Sequence, residues 1–127
     1  MTLTEKAFAL RAVPPFDRLN DSELALVAEA TKFRLFAPGE RIASADGVLQ
    51  KLYVRISGAV FSGNEHFPAV FGAPSLLFGH SLERDLIACP ETGASCLLIS
   101  KGHFFTLIYE CPCLMVGFFT SPDCSRS

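Results

Sequence analysis

The chain has 127 residues, 50% of them hydrophobic and twelve of them Phe, with a formal net charge of −2. That length suits one domain with a real core rather than two, and the apolar fraction excludes an intrinsically disordered regulator. The eleven Lys and Arg residues are scattered along the chain, which excludes the clustered basic footprint of a nucleic-acid reader.

No run approaches the roughly 18 to 20 apolar residues of a membrane span. The start, Met1-Thr2-Leu3-Thr4-Glu5-Lys6, lacks the basic and apolar regions of a signal peptide. A cytoplasmic location and no membrane partner are therefore expected. Cys89, Cys96, Cys111, Cys113 and Cys124 are an odd number without framework spacing, so reduced thiols are expected rather than disulfides. Cys89 and Cys96 sit in strand-like runs and read as small hydrophobes.

In chain order, residues 6–12 form a short helix pattern that Pro14-Pro15 stops, because proline lacks the amide donor and restricts the residue before it. Phe16 and Leu19 read as buried anchors in the turn. Asn20-Asp21-Ser22-Glu23 supplies a cap and early acids for a second helix through residue 31, with Leu24, Val27, Ala28 and Ala30 as its apolar stripe. Lys32-Phe33-Arg34-Leu35-Phe36 then alternates as a half-buried strand before Pro38-Gly39.

The pattern changes from helical to β from here on. Residues 40–44 predict a short strand and Asp46-Gly47 a turn, while residues 51–61 predict two strands broken at Ser57-Gly58. Ser62-Gly63-Asn64-Glu65 is a hairpin candidate. Residues 85–89 and 94–99 make another strand pair around Pro90-Glu91-Thr92-Gly93. Ser100 can cap a helix over 101–109 with Phe104, Phe105, Leu107 and Ile108 on its apolar face. Pro112 interrupts it, residues 114–119 add a helical turn or two, and residues 121–127 are expected to form a flexible tail. Short strands about ten residues apart, with turn signals between them, argue for an antiparallel sandwich or barrel.

One stretch carries candidate chemistry: Phe71-Gly72-Ala73-Pro74-Ser75-Leu76-Leu77-Phe78-Gly79, followed by Glu83-Arg84-Asp85. It reads as a strand feeding one turn of helix, whose free N–H groups and positive dipole end favour an anion, with Arg84 as countercharge. The competing reading is an ordinary loop entering a buried helix. No Gly-x-Ser-x-Gly, His-Glu-x-x-His or glycine-rich loop followed by Lys is present, so no enzyme is expected.

Several blocks together resemble the cyclic-nucleotide-binding domain. They are the series from Leu10 through Val13-Pro14-Pro15-Phe16 to Leu19, then Glu23-Leu24, Arg34, Pro38-Gly39-Glu40-Arg41-Ile42, Leu52-Tyr53-Val54, Ser57-Gly58-Ala59-Val60, Phe71-Gly72 and Ser75-Leu76-Leu77. That family includes the sensor domain of catabolite activator protein and the regulatory subunits of cyclic-AMP-dependent kinase. The resemblance implies a mainly β fold, an eight-stranded antiparallel jelly-roll barrel with flanking α-helices at both ends, over residues 1–120. It also implies a phosphate-binding cassette at Phe71, Gly72, Ala73, Pro74, Ser75 and Leu76, with Arg84 and Asp85 after it.

The family's cassette carries an acid for the ribose after Phe-Gly, and an Arg for the cyclic phosphate roughly ten residues later. Here Ala73 stands at the acid and Pro74 follows it. Losing that acceptor costs about 1 to 3 kcal/mol of affinity, and Pro74 removes a backbone donor. A gapless count puts Leu82 at the Arg position, whereas a small insertion would bring Arg84 there, beside the competing carboxylates Glu83 and Asp85.

The leading expectation is a non-catalytic sensor module that binds cAMP, cGMP or a similar small anion and relays a conformational signal, with no cofactor and no metal. The alternative is a degenerate domain that has lost nucleotide binding and serves as a scaffold for a homodimer or a partner protein. A third reading is a redox or metal sensor using Cys111-Pro112-Cys113, Cys124 and His103. The chain carries no helix-turn-helix reader, so the resemblance implies no DNA binding by this chain alone.

Overall fold

Thr2 opens the first helix. Its hydroxyl accepts the Glu5 N–H at 3.1 Å and the Glu5 carboxylate accepts the Thr2 N–H at 3.2 Å, a reciprocal cap that satisfies two otherwise orphaned donors. The helix α1 is therefore Leu3–Arg11 and begins three residues before the expected 6–12. The computed structural model describes residues 1–120; the tail expected at 121–127, with Cys124, lies outside the described residues.

A 3-10 turn at Phe16–Arg18 follows, with Phe16 and Leu19 buried as expected. The second helix, α2 (Asp21–Ala30), starts on a second reciprocal cap, Asn20 with Glu23, and buries Leu24, Val27 and Ala28. Ala30 is only half-buried. No linker separates α2 from β1 (Thr31–Phe36). Thr31 is buried at 3% exposure and donates its hydroxyl to the Ala28 carbonyl at 2.8 Å, while its own carbonyl accepts Lys6 Nζ at 2.8 Å.

Seven further strands follow: β2 (Arg41–Ala43), β3 (Lys51–Gly58), β4 (Val60–Ser62), β5 (Glu65–His66), β6 (Val70–Phe71), β7 (Leu86–Ala88) and β8 (Ala94–Ser100). Between β6 and β7 lies α3 (Ala73–Phe78), and after β8 come α4 (Lys101–Glu110) and α5 (Pro112–Thr120). The strands pair as two four-stranded sheets, β1-β8-β3-β6 and β2-β7-β4-β5, with antiparallel pairing throughout. His66 lies in β5 with its ring 4.5 Å from that of Phe61.

Side chains alternate across a strand, and β3 and β8 divide the core accordingly. Leu52, Val54, Leu97 and Ile99 join a cluster with Leu10, Phe16, Leu24, Val27, Phe104, Leu107 and Ile108 from the helical side. Tyr53, Cys96 and Leu98 join a second cluster with Phe36, Val60, Phe67, Phe71, Leu82 and Leu86, drawn from both sheets. The layers are thus helices, first sheet, second sheet.

Ser100 caps α4 as expected, accepting the His103 N–H at 3.3 Å. Phe104, Leu107 and Ile108 are buried, but Phe105 is 42% exposed and does not belong to the apolar face assigned to it, since residues 104, 107 and 108 make the i, i+3, i+4 stripe and Phe105 lies at its side. The last helix starts at Pro112, earlier than the expected 114–119. Proline is well placed at a first helical position, where its missing N–H leaves nothing unpaired.

Candidate functional site

Phe71 ends β6 opposite Tyr53 of β3, and the two rings stack at 4.8 Å with 6° between their planes. Phe67 meets Phe71 edge-on at 5.4 Å. This aromatic floor fixes the chain just before Gly72, the residue that starts α3. Gly72 has φ +107°, and a Cβ there would lie 2.5 Å from the Lys51 carbonyl oxygen. Only glycine fits so close an approach in that backbone region.

The helix that follows has no side-chain cap. Leu76 N–H bonds the Gly72 carbonyl at 2.9 Å, and Pro74 has no N–H, which leaves Ala73 and Ser75 as the first-turn amides outside the helical ladder. Ala73 and Ser75 are each 2% exposed and Leu76 4%. The Ser75 hydroxyl donates to the His80 carbonyl at 2.7 Å, and Gly79, at φ +70°, closes the helix by donating to the Pro74 and Ser75 carbonyls. The polar side chain of the stretch is thus spent on ending its own helix.

The following segment places its side chains unevenly. Leu82 N–H donates to the Gly47 carbonyl and the Leu82 carbonyl accepts the Asp46 N–H, each at 2.8 Å. So pinned, Leu82 points into the inter-sheet cluster at 1% exposure. Arg84 is exposed, and its guanidinium lies over Gly63 in the turn between β4 and β5. Among the described residues it forms no ion pair with Glu83 or Asp85. Asp85 accepts the Ala45 N–H at 2.6 Å and lies 3.8 Å from Arg41 Nη1, so it braces the end of β2.

No family model matches the chain, and no curated protein matches it by sequence. Solved structures do match. A co-crystal of the regulatory domain of Toxoplasma gondii PKA with cAMP superposes with a TM-score of 0.74 at 16% identity, over 90% of this chain and 47% of that one. cAMP-bound PfPKA-R gives 0.72 at 17% identity, over 90% of this chain and 43% of its own. The chain has the fold of a cyclic-nucleotide-binding domain. It spans less than half the length of each of these two structures.

Within the cyclic-nucleotide-binding fold, Phe71 to Leu76 form one continuous strand-to-helix unit, whereas Arg84 and Asp85 are engaged with the β4–β5 turn and with β2. Leu82 is the buried residue of the segment between α3 and β7, and its sequence sign is its apolar side chain among polar and charged neighbours. The close approach of Lys51 to Gly72 had no sequence sign, because it joins residues distant in the chain.

The cysteine reading finds less support. Among the described residues no group of three or more His, Cys, Asp and Glu side chains could hold a metal ion. Cys111 is buried at 1% exposure, and burial pushes its thiol up to about 11, away from the thiolate that redox chemistry requires. Among the same residues no helix is long and apolar enough to cross a membrane.

Proposed function

We propose that this chain is a non-catalytic regulatory module of the cyclic-nucleotide-binding type, a single cytoplasmic domain over residues 1–120. In this reading its two facing sheets form the jelly roll, a topology that the strand orders β1-β8-β3-β6 and β2-β7-β4-β5 support. The module acts through contact with a partner protein or a second copy of itself, without a bound cyclic nucleotide and without a cofactor. The observation that carries this is the burial of Leu82 at 1% exposure, the residue that a gapless count sets at the family's phosphate-binding arginine. Ala73 adds to it by removing the ribose acceptor.

A second reading keeps the module as a sensor of a small anion, cAMP or cGMP among them. The left-handed Gly72 and the two first-turn amides of Ala73 and Ser75 favour it, with Arg84 swinging from Gly63 to the ligand. Calorimetric titration of the chain with cAMP and cGMP, repeated on Arg84→Ala, decides between the two. The scaffold reading expects no saturable heat up to about 1 mM of either nucleotide. Micromolar binding that collapses in Arg84→Ala would overturn it and establish the sensor.

A further inference from the structure

A cavity of about 220 Å³ opens where the ends of β1, β3 and β8 meet the end of α2 and the first turn of α4. Lys32, Lys51, Ser100 and His103 line it, together with Glu29 and Thr31. The strand register explains why two lysines converge there. Lys32 pairs with Leu98 and Lys51 with Ser100, and paired residues project from the same face of a sheet. Lys32 and Lys51 therefore flank β8 on one face, two strand spacings apart across the sheet and, because Leu98 and Ser100 are two residues apart, offset by two residues along it, about 12 Å in all, a gap that two extended lysine side chains can close on one anion.

Neither lysine is neutralised from within the protein. Among the described residues the ion pairs are Arg11–Asp21, Arg34–Glu40 and Arg41–Asp85, and neither Lys32 nor Lys51 takes part. Glu29 is the one carboxylate among the lining residues. His103 adds a further donor: Ser100 Oγ accepts its backbone N–H and lies 2.8 Å from its Nδ1. A hydroxyl proton given to Nδ1 leaves the imidazole with Nε2–H.

We propose that this cavity binds a small phosphate-bearing molecule, with Lys32 and Lys51 as the charged ligands and His103 as a further donor. Donors from three separate elements suit a three-oxygen anion better than a planar carboxylate, and lysine serves such an ion as a point charge. The size sets the class of ligand. At about 220 Å³ the cavity is smaller than the roughly 300 to 1,000 Å³ of a drug-sized site, which suits inorganic phosphate or a short phosphomonoester. The site is independent of the cassette reading above, although Lys51 contributes to both places, its side chain here and its carbonyl against Gly72.

The test is titration with inorganic phosphate at constant ionic strength, followed by amide NMR shifts. Saturable shifts confined to the neighbourhood of residues 30–32, 51 and 98–103 are expected. The Lys32→Ala/Lys51→Ala double variant should weaken binding by about tenfold or more, while Lys101→Ala and Arg84→Ala leave it unchanged. Lys32→Gln and Lys51→Gln, which keep most of each side-chain stem, give the same reading should the double variant not fold. No saturation by about 50 mM phosphate, equal affinity in folded variants lacking the lysines, or equal shifts from chloride at matched ionic strength would each overturn the proposal. A cyclic nucleotide that binds or fails to bind has no bearing on these outcomes.

Discussion

The helices α3 and α4 both begin where a strand of the first sheet ends, yet they are started by different physics. At α4 a serine hydroxyl takes the His103 N–H, so the start is written in one residue and its nearest neighbours. At α3 no side chain caps the helix, and the start depends on a glycine at φ +107° squeezed against Lys51 of another strand. The first turn of α4 remains exposed at Lys101, Gly102 and His103, whereas Ala73, Pro74, Ser75 and Leu76 of α3 are buried. A locally coded start leaves a helix end open to solvent and ligands. A start imposed by tertiary contact here closes the end and fills the surrounding space with apolar groups.

The largest expected effect tests how closed the α3 side is. Leu82→Arg would bury an unpaired guanidinium in the inter-sheet cluster, and it should cost about 3 to 5 kcal/mol in denaturant unfolding. A cost near zero would mean that the segment can turn outward and that the α3 side is not closed. Next comes Gly72→Ala, expected to lose about 2 to 3 kcal/mol because the new Cβ meets the Lys51 carbonyl in a strained backbone region. An unchanged midpoint would show that α3 does not depend on that approach.

The matching change at α4 is smaller. Ser100→Ala should cost about 1 kcal/mol, and Ser100→Asp, which can still cap, should recover most of it. The smallest effect at neutral pH is an alkaline one. Burial pushes the Cys96 thiol from 9.0 up to about 12. The unfolded chain therefore loses this proton first, so the contribution of Cys96 is full below about pH 9 and is lost as pH rises from there towards 12. Thermal midpoints measured from pH 8 to 11 should fall less steeply in Cys96→Ala than in the parent chain, after allowing for its lower stability at pH 8.

Much of the fold was legible where the code is local. Asn20 with Glu23, Ser100, the break at Pro14-Pro15 and the alternation through Leu52-Tyr53-Val54 each signal structure through neighbours a few residues away, whereas Ser57-Gly58, expected as a break, still belongs to β3 and the strands part at Ala59. The same kind of signal was present in Thr2-x-x-Glu5, and it moves the start of α1 to Leu3. Phe105 was misplaced because a run of apolar residues does not say which of two adjacent rings meets the sheet; packing of Phe104 against the helical cluster decided it.

The strand-to-helix turn was legible as a place, and the chemistry around it was not. Phe71-Gly72 marked the strand-to-helix turn, and the departures at Ala73 and Pro74 stood in plain view. The fate of the charges did not. Arg84 and Asp85 lie next to each other in the chain, yet one packs over Gly63 and the other holds Ala45. Those partners are 21 and 40 residues away by number (84 − 63; 85 − 45).

By itself, then, the sequence determined the helix caps, the turn positions, the strand alternation and the absence of a family-type acid at Ala73, all set by residues within a turn of one another. Only the tertiary structure decided that Leu82 faces inward, that Arg84 lies over Gly63, and that Lys32 and Lys51 flank β8 on one face. Each of these depends on strand register and on backbone hydrogen bonds between segments far apart in the chain, and no local rule of side-chain chemistry carries that information.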